Sequence, residues 1–178
     1  MKKTLLATSL IACLSIMSVN VYAANENTVS IGYAQNNISA AGNSLNKDPK
    51  GFNFKYRYEI NNALGLIGSF THTHQGYNLS DGYGDVGSGD FDYYSFTAGP
   101  SYRFNEYVST YGLIGAARGK VSLSVFDESV SESKTAMAYG VGVQFNPLPN
   151  IAIDASYEHT KLSDIKVGTW MLGVGYRF

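Results

Sequence analysis

The chain has one cysteine, Cys13, and it sits inside an N-terminal apolar run, so the body of the protein has no disulfide or thiol chemistry. Nothing after Ala23 approaches the roughly 20 apolar residues that a membrane helix needs. Neither sign of charge dominates. Without Lys2 and Lys3, eleven basic residues stand against fourteen acidic ones, a formal charge of −3 that gives no electrostatic case for nucleic acid. Long linkers, low-complexity tracts and repeats are also lacking. Residues 24–178 therefore read as one domain.

The N-terminal stretch is a secretory signal peptide over residues 1–23: Lys2 and Lys3, then apolar sequence from Leu5 to Val19, then Val21-Tyr22-Ala23 before the cut. A lipoprotein site at Cys13 is disfavoured because the run continues through Leu14, Ile16 and Val19. With no membrane helix in the mature chain, any membrane reading rests on strands.

Aromatics are abundant and alternate. In the last ten residues Trp170, Leu172, Val174, Tyr176 and Phe178 share one face, and Thr169, Met171, Gly173, Gly175 and Arg177 the other. A wide apolar face that ends on the final residue is how a lipid-facing strand reads. Seven more strands precede it. The clearest sets Phe52, Phe54, Tyr56, Tyr58 and Ile60 against Asn53, Lys55, Arg57 and Glu59. Tight turns are expected at Asn61-Asn62, a pair that tolerates positive backbone angles, at Asn105-Glu106, and over Asn146-Pro147-Leu148-Pro149-Asn150. Pro100 predicts a bulge or local break in its strand.

Long connections alternate with short ones, giving external loops at about 36–50, 75–90, 118–134 and 160–166. An even strand number, short turns at one end and long loops at the other predict an all-β fold: an eight-stranded antiparallel up-and-down transmembrane β-barrel in a bacterial outer membrane, with both termini periplasmic. The inward faces carry Lys55, Arg57, Glu59, Arg103, Asp154, Glu158 and Arg177, a set that makes sense only as a mutually compensated lumen network. Eight strands leave an interior that side chains fill, so no diffusive pore is expected.

Lys47, Lys50, Arg118, Lys120, Lys134, Lys161 and Lys166 all fall in or beside the external loops. One reading is contact with lipopolysaccharide phosphates; the other is ordinary loop charge. Gly82-Tyr83-Gly84-Asp85-Val86-Gly87 matches the dinucleotide fingerprint, yet a polar loop precedes it and Ser88-Gly89-Asp90 follows where a helix is needed. Asp81, Asp85, Asp90 and Asp92 fit no calcium-loop spacing. His72 and His74 share a strand face without a third ligand, and they fit a polar-aromatic membrane rim better. Together with His159 they are the only candidates for a serine hydrolase set, and none sits in a His-x-Ser pair. No enzyme activity, cofactor or metal is expected.

Val121, Leu123 and Val125 continue the alternation past the membrane edge, as a hairpin arm that offers edge pairing. Tyr77, Tyr83 and Phe126 add aromatic anchors, Asp127 and Glu128 acidic contacts and Lys120 a basic one; the competing reading is that these residues pack on one another to order the loops.

The whole chain resembles the Ail/Lom/OmpX family of outer-membrane proteins. The resemblance is carried by Ile31-Gly32-Tyr33-Ala34, Asp48-Pro49-Lys50-Gly51-Phe52-Asn53, Lys55-Tyr56-Arg57-Tyr58, Thr73-His74-Gln75-Gly76-Tyr77, Val125-Phe126-Asp127-Glu128-Ser129 and Lys166-Val167-Gly168-Thr169-Trp170-Met171-Leu172. Several of these lie in loops where the OmpX branch differs, which favours the Ail branch. The terminal Tyr176-Arg177-Phe178 resembles the sorting signal of outer-membrane barrels, which implies the barrel-assembly machinery as a partner. The resemblance further implies a monomeric adhesin and invasin that binds host extracellular-matrix proteins and cells, and resists serum by capturing complement regulators. A surface-housekeeping or lipid A-modifying barrel is the alternative.

Overall fold

The computed structural model describes residues 26–40, 43–44, 48–80, 85–125, 128–163 and 165–178; the expected signal peptide lies outside them. The strands are β1 (Asn27–Ala40), β2 (Asn43–Ser44), β3 (Lys50–Glu59), β4 (Leu64–Ser80), β5 (Asp85–Arg103), β6 (Val108–Val125), β7 (Glu128–Leu148), β8 (Ile151–Leu162) and β9 (Ile165–Arg177). The two-residue β2 pairs only with the tip of β1. The other eight are antiparallel to their neighbours, and β1 pairs with β9, so the sheet closes on itself.

Following paired residues once around, from Val29 through Tyr56, Gly68, Ala98, Ile114, Tyr139, His159 and Gly168, the path returns to β1 at Asn37, eight residues up. An offset of eight residues at about 3.3 Å each, around eight strands about 4.8 Å apart, tilts the strands by about 35°. The bilayer exposes one face and the lumen buries the other. Phe96 is 67% exposed and most of the outward Phe, Tyr, Leu, Ile and Val side chains are exposed too, whereas the buried set is largely Thr, Ser, Asn and charged residues. In a water-soluble protein this distribution would be inverted.

The periplasmic turns are short, as expected, but one detail differs. Among the described residues only Ser163 (φ 56°), in the β8–β9 connection, combines a side chain with positive φ. Asn61 therefore does not use the left-handed region. Its Oδ1 accepts from the backbone N–H of Ala63 (2.9 Å) and Leu64 (2.7 Å). Asn105 repeats the arrangement with Tyr107 and Val108 at 2.9 and 2.8 Å. Asparagine is there for its acceptor. Replacing either Asn61 or Asn105 by Ala is expected to cost about 1 kcal/mol in urea unfolding of the refolded barrel.

Pro100 produces a break without a bulge. The ladder from β5 to β6 skips Gly99 and Pro100 and resumes in the same register at Ser101 opposite Tyr111, while the β4 side stays paired. The expected five-residue turn at Asn146 narrows to Pro149-Asn150, because β7 continues to Leu148 through a register shift.

The largest correction concerns the external loops. Strand continues through residues 36–40, 75–80, 85–90 and 128–134, and through 118–125 in keeping with the hairpin arm expected at Val121, Leu123 and Val125. A crossing strand needs about 9–11 residues; β5 has 19 and β7 has 21. The excess in β4 to β7 forms a four-stranded sheet standing above the barrel rim. The barrel register simply extends into it, so Gly, Asp and Ser suffice where no lipid demands an apolar face.

Candidate functional site

The barrel offers two chemically distinct regions: the lumen and the external sheet. All seven residues expected in the lumen point inward. Lys55, 2% exposed, pairs with Asp154 and donates to Ser156 Oγ at 2.8 Å; the Tyr111 hydroxyl donates to the other oxygen of Asp154 at 2.7 Å. Nearer the periplasm Arg103 pairs with Glu59, and Arg177 lies 3.9 Å from it. Arg57 Nε is 3.6 Å from the same carboxylate. Toward the outside, Glu158 is fully buried and forms no ion pair among the described residues. It accepts from Tyr93 at 2.8 Å and from Thr97 at 3.3 Å, and Tyr93 also meets Thr160 at 2.9 Å.

Several members of this interior escape the sequence pattern. Glu26, ahead of the first strand, pairs with Arg177 and lies 3.7 Å from Arg103. Tyr93 and Tyr111 are inward aromatics, legible only because they keep step with Ser95 and Ser109. Ile38, Phe91, Leu162 and Val167 are buried with Tyr93, Ala117 and Ala138 in an apolar cluster across the external end. Ile38 falls inside the stretch expected to be loop, and Leu162 likewise.

On the outer wall, His72 stacks on Tyr94 (centroids 4.4 Å, 19°) and meets Phe52 edge-on at 5.7 Å. His159 packs against Tyr139 at 5.3 Å, and His74 Nδ1 is 2.8 Å from Asp92 with Asp90 at 4.0 Å. The three histidines thus belong to three separate settings. Among the described residues no group of three or more His, Cys, Asp or Glu could hold a metal. The glycine fingerprint leads into β5, which begins at Asp85, so a strand stands where a phosphate-binding helix would have to start.

Of the basic residues expected in the loops, Lys50, Arg118, Lys120, Lys134, Lys161 and Lys166 are all exposed at the external end; Lys47 lies outside the described residues. Arg118 donates to Ser133 Oγ at 2.8 Å and Lys134 pairs with Glu132 at 3.3 Å. Lys120 sits opposite Asp92 across the ladder. Lys161 and Lys166 are direct cross-strand partners, a like-charge pair.

The hairpin tips are placed by register alone. Tyr77 pairs with Gly89 and Leu123 with Val130, and Glu128 opens β7 opposite Val125. Tyr83, Phe126 and Asp127 lie outside the described residues. The first β7–β8 pair is Ala138 with Thr160, which leaves β7 from Glu128 to Met137 without a β8 neighbour. Among the described residues the sheet therefore presents a free backbone edge.

The model of the outer membrane protein beta-barrel domain matches residues 9–178, nearly the whole chain. This protein belongs to that family. The attachment invasion locus protein of Yersinia enterocolitica is 69% identical over the full length of both chains. Outer membrane protein X of Escherichia coli is 41% identical, again over both full lengths. The crystal structure of Ail from Yersinia pestis, in complex with the heparin analogue sucrose octasulfate, superposes with a TM-score of 0.82 at 58% identity and covers 87% of this chain and 99% of that one. The family and the closed barrel place the protein in the bacterial outer membrane. Among outer-membrane barrels, the Ail and OmpX likeness covers the external hairpins as well as the wall.

Proposed function

We propose that the protein is an adhesin and invasin that also confers serum resistance, contacting host-cell, matrix and complement-regulator proteins through the β4–β5 and β6–β7 hairpins. The observation that carries this is the free edge of β7 on a sheet standing clear of the membrane. Ten consecutive residues, Glu128 to Met137, lack a β8 partner, so their outer N–H and C=O groups are available to an added strand. Register brings Tyr77, Lys120 and Glu128 to this external sheet, and in this reading Tyr77, Tyr83, Lys120, Phe126, Asp127 and Glu128 supply specificity. Names and structures of relatives, attachment invasion locus proteins of Yersinia, support the same reading.

Lys47, Lys50, Arg118, Lys134, Lys161 and Lys166 hold phosphates of the surrounding lipopolysaccharide in this reading. The facing Lys161 and Lys166 repel each other unless an anion lies between them. A sulfated glycan offers the same chemistry, in keeping with the sulfated ligand carried by the Yersinia pestis relative. Tyr176 and Phe178 serve as the sorting signal read by the barrel-assembly machinery.

The test expresses the protein in a serum-sensitive, non-adherent bacterium beside a copy lacking Phe126, Asp127 and Glu128. Survival in human serum and adhesion to cultured cells should both be gained with the intact chain and lost with the deletion, while heat-dependent gel mobility reports a folded barrel in each case. A well-folded intact barrel that gains neither trait rejects the proposal. Altered lipid A by mass spectrometry would then favour a lipid-modifying role.

A further inference from the structure

The lumen charges balance over the whole barrel but not within each half. Among the described residues, Lys55, Arg57, Arg103 and Arg177 face Glu26, Glu59, Asp154 and Glu158. Lys55 and Asp154 form a closed pair midway. Outside that layer stands Glu158, with hydroxyl partners and no cation. On the periplasmic side three guanidiniums share two carboxylates, Glu59 and Glu26, and the terminal carboxylate at Phe178 joins none of their ion pairs.

Hydrogen bonding shows the same local surplus. Arg57 is 1% exposed, and its Nε, Nη1 and Nη2 all lack an acceptor; so do Nε of Arg103 and Nε of Arg177. Thr28, Ser101 and Ser109 have hydroxyls without partners in the same half. Register places them on the same inward faces: Thr28 pairs with Arg57 on one side and Arg177 on the other, Ser109 pairs with Arg103, and Ser101 stands two residues before Arg103 on β5. Guanidinium nitrogens only donate. Leaving a buried charged donor unsatisfied costs more than any neutral group. What completes the site is an acceptor-only species bearing one negative charge, small enough for an eight-stranded lumen.

We propose that the periplasmic half of the lumen binds one small monovalent anion of the chloride class, held by the Arg57 guanidinium with the hydroxyls of Thr28, Ser101 and Ser109 around it. Glu158 cannot substitute for it. That carboxylate lies beyond the Lys55–Asp154 layer, where its attraction is weakened by distance and its oxygens accept from Tyr93 and Thr97, not from Arg57.

Bromide is the probe. Crystals of the refolded barrel grown in sodium bromide should show an anomalous difference peak in the lumen beside Arg57, and Arg57→Met should remove it. A lumen with ordered water and no anomalous peak, or peaks confined to the outer surface, overturns the proposal. Urea unfolding at constant ionic strength, with gluconate exchanged for chloride, gives a second readout that needs no crystal. Above its Kd, each tenfold rise in chloride should raise the folded-to-unfolded ratio tenfold in the wild type. A wild-type ratio that ignores chloride also overturns it, whether or not the variant folds.

Discussion

Lys55→Met is expected to destabilise the barrel by about 3–5 kcal/mol, because it strands a buried carboxylate. Asp154 lies at 1% exposure with Lys55 as its ion-pair partner; the Tyr111 hydroxyl at 2.7 Å would remain, but a hydroxyl supplies no charge. Asp154→Leu should be comparably costly, since it leaves the ammonium of Lys55 with only Ser156 as an acceptor. The double variant Lys55→Met with Asp154→Leu should recover most of the loss. Urea unfolding of all four proteins in one detergent, read as a double-mutant cycle, isolates the coupling. If each single substitution costs less than about 1 kcal/mol, water reaches this layer freely and the pair behaves as an exposed salt bridge does.

Gly142→Val should be nearly as damaging for a different reason. A Cβ at Gly142 would sit 2.2 Å from Cζ and 2.3 Å from the hydroxyl oxygen of Tyr111. The ring must move, and with it goes the bond from its hydroxyl to Asp154. Overpacking costs about 1–3 kcal/mol, and loss of a hydrogen bond to a charged group about 1.5–3 kcal/mol. The expected sum is about 2.5–6 kcal/mol, seen as a lowered urea midpoint with an unchanged slope. Tyr111→Ala in the Gly142→Val background should relieve the clash without restoring the hydrogen bond. A Gly142→Val barrel as stable as the wild type would mean that Tyr111 has another place to go.

These two residues also show how far sequence patterning reaches. Lys55 was legible because it alternates with Phe54 and Tyr56, and two unlike environments, lipid and lumen, impose opposite chemistry on successive residues. Gly142 was legible as inward, but not as the space that Tyr111 occupies, because an aromatic in the lumen looks the same in sequence as one facing lipid. Glu26 escaped because it precedes the first alternating residue and acts from the chain end. Apart from the arm expected at Val121, Leu123 and Val125, the external strands escaped for a broader reason. Above the bilayer both faces of β5 and β7 lie outside lipid, so alternation fades while the hydrogen-bonded ladder continues. Ile38 and Leu162 fall in that zone, so nothing in the local pattern marks them as the apolar closure of the lumen. The eight strands and the alternation of short turns with long hairpins needed none of this detail. They follow from the bilayer, which sets strand spacing and orientation before any side-chain contact is known.

The seam between β1 and β9 pairs residues from opposite ends of the chain at 13 positions, and two backbone hydrogen bonds between Asn27 and Phe178 fasten its foot. Every other barrel junction is a hairpin between successive barrel strands, so this is the one contact whose loop spans almost the entire polypeptide. Every hairpin can close on its own neighbour, whereas this seam has the greatest sequence separation and hence the largest loop-closure entropy of any junction in the barrel. The circle is therefore held shut by the pairing that local sequence does least to bring about.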